Sequence, residues 1–122
     1  MQSDNFKTLK TLVVEYNQIS EEGALSLTAS KFLSQLEHLD IGQNEIGNIG
    51  AQVISSCMLS RLKFMSLKHN NIGEPGYKCL AESETMPLLQ TLHIYPGNNA
   101  VSMEAKKSLL RSKFLRSLNN VS

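Results

Sequence analysis

The chain has 122 residues, 41% of them hydrophobic, which suits one modest core and a single domain spanning 1–122. Twelve basic against eleven acidic side chains leave a net charge of +1, so the basic footprint of a nucleic-acid binder is missing and no nucleic-acid partner is expected. No apolar run approaches the ~18 residues that span a bilayer, and "MQSDNFKTLK" lacks the charged and apolar regions of a signal peptide; the expectations are no membrane partner and a cytoplasmic location.

The first predicted element lies in "LKTLVVEYNQISEEG", from Leu9 to Gly23. Apolar and polar residues alternate over Thr11 to Glu15, the period-2 pattern of a short strand with one buried face. Asn17 follows the strand, and Ser20 is placed to cap a helix over "EEGALSLTAS" with Ala24 and Leu27 inward. The second copy, "LEHLDIGQNEIGNIG" from Leu36, repeats this order: a strand turning Leu39 and Ile41 inward, then Asn44, Ile46, a corner at Gly47, and a helix burying Ala51 and Ile54. The third, "LKFMSLKHNNIGEPG" from Leu62, predicts a strand over Phe64 to Lys68, then Asn70, Ile72, a corner at Gly73, Pro75 early in a helix where its missing N–H costs nothing, and Tyr77 with Leu80 inward. A weaker fourth copy, "LQTLHIYPGNN" from Leu89, predicts a strand over Thr91 to Tyr95 but carries Pro96 and Gly97, and its asparagine arrives late, at Asn98. Its helix, from about Val101 to Leu115, is expected to be longer and to turn Leu110, Phe114 and Leu118 inward as a partial cap.

The copies are spaced 27 and then 26 residues apart, with repeats near 9–35, 36–61, 62–88 and 89–117, and self-similarity at this period means a solenoid. Phe6, Leu33, Leu59 and Met86 each stand three before an opening leucine, and "SKFLRSL" from Ser112 echoes "SKFLSQL" from Ser30. Both ends therefore cut through a repeat, as expected of an excerpt from a longer solenoid or of a small protein with minimal caps.

The pattern Leu-x-x-Leu-x-Leu-x-x-Asn-x-Ile, with the "IGxxGA" continuation, resembles the leucine-rich repeat of the helix-bearing, ribonuclease-inhibitor-like kind. The copies run slightly short of that subfamily's usual length. The resemblance implies an α/β fold: a right-handed solenoid of about four strand-helix repeats, its parallel sheet on the concave face and its helices on the convex face. Elementary spacing leads to the same curvature, since strands stack about 4.8 Å apart and helices approach no closer than about 8 to 10 Å. Asn17, Asn44 and Asn70 are expected to stack as a structural ladder, each amide bonding loop backbone that the sheet does not reach. Cys57 and Cys79 read as small apolar fillers and free thiols.

The outward strand positions form four columns: Thr11, His38, Phe64, Thr91; Val13, Asp40, Ser66, His93; Glu15, Gly42, Lys68, Tyr95; and Tyr16, Gln43, His69, Pro96. All three histidines lie there, with two of the three tyrosines and Phe64. Aromatic residues on an exposed sheet suit a protein partner, in which such anchors dominate the energetics. Tyr16, His38, Asp40, Phe64, Lys68, His69, His93 and Tyr95 are the candidate partner-binding residues, Tyr16, Phe64, His69 and Tyr95 projecting away from the core row Leu12, Leu39, Met65 and Leu92. The unpaired edge of the first strand, near Leu12 to Val14, is a candidate for self-association.

Asp40, Ser66 and His93 share one column, which invites a hydrolase reading, but a triad needs histidine between serine and carboxylate, and here serine is in the middle. A metal site from His38, Asp40 and His93 fails because its ligands do not converge within about 2.0 to 2.2 Å of one ion. No catalytic residue, metal or cofactor is expected. The favoured function is a non-catalytic protein-protein interaction module. The alternatives are a regulatory or sensor segment of a larger protein, such as a bacterial effector secreted into a host, and a protein resembling the leucine-rich-repeat activators of small GTPases.

Overall fold

The computed structural model describes residues 9–14, 20–95 and 102–122, with Glu21 and Leu27 by their backbone alone. Strand and helix alternate: β1 Thr11–Val13, α1 Glu21–Thr28, β2 His38–Asp40, α2 Gly47–Ser55, β3 Phe64–Ser66, α3 Glu74–Ala81, β4 Thr91–His93, α4 Met103–Leu110 and β5 Asn120–Val121, with a 3-10 turn at Lys31–Gln35. The strands form one parallel sheet in chain order. Leu12, Leu39, Met65, Leu92 and Val121 lie in register as a single row, all buried except the half-buried Leu12. Among the described residues the sheet has five strands: four lead into helices, as about four strand-helix repeats require, and the fifth, Asn120–Val121, follows "SKFLRSL".

One hydrogen-bond unit repeats along the edge where the strands begin. The carbonyl of Lys10 accepts the N–H groups of Glu37 and His38, that of Glu37 accepts those of Lys63 and Phe64, that of Lys63 those of Gln90 and Thr91, and that of Gln90 those of Asn119 and Asn120. Identical bonding at every step keeps the rungs in register, which is why side chains 26 to 29 positions apart in sequence meet.

The strands are three residues long in β1 to β4, shorter than the expected spans Thr11 to Glu15, Phe64 to Lys68 and Thr91 to Tyr95. The backbone keeps bonding past them, Ile41 N to Ser66 O at 3.1 Å and Gln43 N to Lys68 O at 2.7 Å. Gln43 and His69 then adopt φ of 58° and 55°, which ends the extended run. Each stands immediately before an asparagine that faces inward. Asn44 Nδ2 donates to the carbonyls of Ile41 and Gly42 in its own rung and of Val14 in the rung before; Asn70 Nδ2 donates to Lys68 of its own rung and to Ile41 of the rung before. Asn17 and Asn98 lie outside the described residues.

The helices are eight or nine residues each. Ala24, Ala51, Ile54, Tyr77 and Leu80 are buried at the expected inward positions, and Leu33, Leu59, Met86 and Leu115 fill the turn before each following strand. Gly47 opens α2 at φ 64°, a conformation that side chains with a Cβ rarely adopt. The N-terminus of α3 is capped from the previous repeat: Asn48 Oδ1 accepts from Gly73 N at 2.7 Å and from Gly76 N at 3.1 Å.

The fourth helix corrects the expected long span from Val101 to Leu115. It covers Met103–Leu110 behind an N-cap at Ser102, whose side chain accepts from Ala105 N. Ser112 Oγ then accepts the N–H groups of Phe114 and Leu115 and turns the chain out of the helix. Its inward residues are Ala105 and Leu109, whereas Leu110 is 39% exposed and Phe114 half-buried; Leu118 is buried, but from the loop beyond the helix. The helices pack in sequence against one another on one side of the sheet. Because helices need about twice the spacing of strands, the sheet is the narrower, concave side.

Candidate binding surface on the sheet

The outward face starts from strand alternation: with Leu39, Met65 and Leu92 inward, the flanking residues of each strand point the other way. Register then sets His38 beside Phe64 beside Thr91, and Asp40 beside Ser66 beside His93. Phe64 is held between two imidazoles. The His38 and Phe64 rings stack with centroids 4.1 Å apart and planes 10° apart, and His93 meets Phe64 at 4.8 Å and 78°. All three are half-buried. The offset and T-shaped contacts satisfy the ring quadrupoles and fix three neighbouring rungs into one wall.

Asp40 is half-buried beside this wall, and its Oδ1 accepts from Gly42 N at 2.9 Å, tying the carboxylate to its own turn. Lys68 is half-buried two positions beyond Ser66, and His69 is exposed on the left-handed turn residue. Tyr16 lies outside the described residues. Tyr95 differs from the expectation that it projects away from the core: it is half-buried and packs against the buried cluster. Val13 is 54% exposed at the β1 end of the face.

The catalytic and metal alternatives can be judged on the same geometry. Asp40, Ser66 and His93 do lie in one row with serine in the middle, and Ser66 Oγ is 1% exposed as a residue and makes no hydrogen bond, so neither neighbour activates it as a nucleophile. Among the described residues no group of three His, Cys, Asp or Glu side chains is placed to hold a metal ion. Cys57 and Cys79 are free thiols; burial pushes the Cys57 thiol up, partly offset by a hydrogen bond with Thr28. No helix among the described residues is long and apolar enough to cross a membrane.

Several serines with a structural place escape the repeat pattern alone. Ser66 is one, a buried hydroxyl at an outward position. Others are serines at the helix C-termini: Ser83 Oγ donates to Ser55 O at 2.6 Å, and Ser112 Oγ donates to Ala81 O, each clamping one repeat to the one before. Their signal was present, since Ser30, Ser56, Ser83 and Ser112 each stand six before the leucine that opens the next copy.

An open parallel sheet, one helix per strand and rung-to-rung asparagines define an α/β solenoid of about four repeats. The family model described as Leucine Rich repeat matches residues 7–27 and 34–55, two of the repeats, and supports a leucine-rich-repeat architecture. No curated protein matches the chain. Leucine-rich repeat domains generally mediate protein-protein interaction.

Proposed function

We propose that this protein is a non-catalytic interaction module that binds a macromolecular partner through its sheet face. The observation that carries this reading is Phe64: a large aromatic side chain on the outward face, held rigidly between His38 and His93 instead of joining the core. A rigid aromatic anchor loses little conformational freedom on binding, and such residues dominate interface energetics. One helix of two turns per repeat supports assignment to the ribonuclease-inhibitor-like subfamily, and the packing of each described helix on the next supports reading 1–122 as a single domain.

The test is capture of a partner from lysate by the wild-type chain and by Phe64→Ala, Lys68→Ala, Lys31→Ala and Gln52→Ala. The last two alter exposed residues away from the sheet. Loss of about tenfold or more for Phe64→Ala, with Lys31→Ala and Gln52→Ala unchanged, supports the sheet face. Loss confined to Lys31→Ala and Gln52→Ala overturns it and moves the functional surface to the other side of the solenoid.

A further inference from the structure

The two outer edges of the sheet fit each other. In β1 the Val14 N–H donates to Asp40 O, and Lys10 O accepts from Glu37 and His38. Alternation along the strand turns the N–H groups of Thr11 and Val13 away from β2, and among the described residues nothing accepts them. In β5 the Asn120 and Ser122 N–H groups donate to Gln90 O and Leu92 O, so the carbonyls of Asn119 and Val121 face away from β4. Asn119 O is the next acceptor in the series Lys10, Glu37, Lys63 and Gln90, while Lys10 and Thr11 are the positions equivalent to the donors Glu37 and His38. A β1 strand set beside β5 in the register of the other rungs puts Thr11 against Asn120 and Leu12 against Val121. That covers Leu12, the one half-buried member of the inward row.

The helices match in the same sense. Glu74, Tyr77, Lys78 and Ala81 of α3 line a groove together with Ala105 and Ser108 of α4, so they mark the side by which a helix meets its successor. Both helices have eight residues, behind N-caps at Gly73 and Ser102, and the corresponding side of α4 carries Met103, Lys106, Lys107 and Leu110. Met103 is 64% exposed there and Leu110 39%. At the other end Gly23 of α1 occupies the position of Gly76, where the preceding helix comes close enough for Asn48 to hold the backbone N–H. Charge agrees with this pairing. Residues 102–122 hold five basic side chains and one acidic, a net +4, whereas residues 9–35 hold three acidic and two basic, a net −1. Setting a first repeat on a last repeat joins unlike charge; setting two last repeats together joins like charge.

We propose that the last repeat is a docking surface for a second copy of this chain, which adds its β1 to β5 as a parallel strand and lays its α1 beside α4. The Lys10 and Thr11 N–H groups of the incoming copy donate to Asn119 O and its Val13 N–H to Val121 O, repeating the bonds that Asn119, Asn120 and Ser122 make to Gln90 and Leu92. Met103 and Leu110 leave solvent against α1, and Glu22 of the incoming copy approaches the basic end. The two surfaces differ, so the contact is heterologous: each added copy presents a fresh last repeat, and the assembly extends as a filament or closes as a ring. The outward sheet face runs on from copy to copy, and the docking stands independently of any partner bound there.

The experiment is sedimentation velocity on the 122-residue chain and three variants. The weight-average mass of the wild type is expected to rise past that of a dimer between about 1 μM and about 1 mM. Thr11→Pro blocks the first repeat: proline is tolerated at the first residue of an edge strand, and here it removes only an outward N–H. Leu110→Glu blocks the last repeat by placing a carboxylate opposite α1. Each should weaken association about tenfold or more, and Gln52→Ala, on α2, less than about twofold. Mixed in equal amounts, Thr11→Pro and Leu110→Glu should form a one-to-one dimer and nothing larger, because only one intact surface of each kind remains. Circular dichroism checks that each variant is folded. A wild type that stays monomeric to about 1 mM overturns the proposal, as does a mass that levels off at two copies, which marks a symmetric contact. Failure of the mixture to dimerise, or equal loss in Gln52→Ala, overturns it too. Partner capture through Phe64 is read separately, so either reading can fall alone.

Discussion

The side-chain carbonyl of Asn48, in the first turn of α2, accepts the backbone N–H of Gly76, in the first turn of α3, at 3.1 Å. The same oxygen holds Gly73 N at 2.7 Å, so one residue caps a helix 25 positions further along the chain. The close approach requires glycine: a Cβ on Gly76 would lie 2.5 Å from Ile72 Cγ2, 2.8 Å from Asn48 Oδ1 and 3.2 Å from Ala51 Cβ. Asn48→Ala is expected to lose about 0.5 to 2 kcal/mol, as for other N-cap acceptors. Gly76→Ala gains up to about 1 kcal/mol of helix propensity but meets overpacking worth about 1 to 3 kcal/mol, so a net loss is expected. The double variant in urea melts should lose less than the two singles together, because Asn48→Ala also relieves part of the Gly76→Ala clash; strict additivity would mean the two residues act independently.

The inward asparagines give a second prediction. Asn44 Nδ2 reaches three carbonyls at 2.8 to 3.1 Å, one of them Val14 O in the preceding rung. Removing the amide in Asn44→Ala leaves buried acceptors unpaired, at an expected cost of roughly 1 to 3 kcal/mol. Asn119, exposed at the last rung, is the control, and Asn119→Ala should change stability by less than about 0.5 kcal/mol. Equal losses in paired urea titrations would remove the asparagine from its place in the fold.

What was legible in the sequence follows from how local each feature is. The repeat, the inward row Leu12, Leu39, Met65 and Leu92, and the asparagine positions depend on period and backbone chemistry, and both are written in adjacent residues. The strand ends depend on Gln43 and His69 adopting positive φ, which non-glycine residues do not announce. The fourth helix was overextended because Leu110, Phe114 and Leu118 sit four apart, a valid helical stripe, while the side chain that ends it is Ser112. The wall of His38, Phe64 and His93 spans three rungs, and only the register decides which rings meet. Ser66 is buried although alternation places it outward, which the repeat pattern does not signal.

Cys57 offers a test in pH. Burial raises its thiol pKa above the ordinary value of 9.0, so above that value the native state holds a proton that the unfolded chain has released. Stability from this group is therefore fully present below pH 9.0 and is lost as pH rises towards the folded value. Two outcomes are expected. Native Cys57 in a Cys79→Ser background should react with a disulfide reagent at pH 8 more slowly than in urea, since the thiolate is the nucleophile. The fall in stability from pH 8.5 to 10 should also be smaller in Cys57→Ala than in wild type. A native thiol that reacts as fast as the unfolded one would contradict both.

Phe64 and Tyr95 should separate binding from scaffold in opposite ways. Tyr95 packs on the core, and truncating a half-buried aromatic ring there removes apolar contact worth about 1 to 3 kcal/mol; Tyr95→Phe keeps the ring and should keep the stability. Phe64 touches the imidazoles of His38 and His93 instead, and aromatic pairs contribute about 0.5 to 1.5 kcal/mol beyond their area. Phe64→Ala should therefore cost less stability than Tyr95→Ala while costing more partner capture. The His38 and His93 ring proton resonances supply an independent readout: they should shift in Phe64→Ala as the ring current disappears, and remain in place in Tyr95→Phe. Thermal melts showing the larger loss for Phe64→Ala would place that ring in the scaffold and strip the sheet face of its anchor.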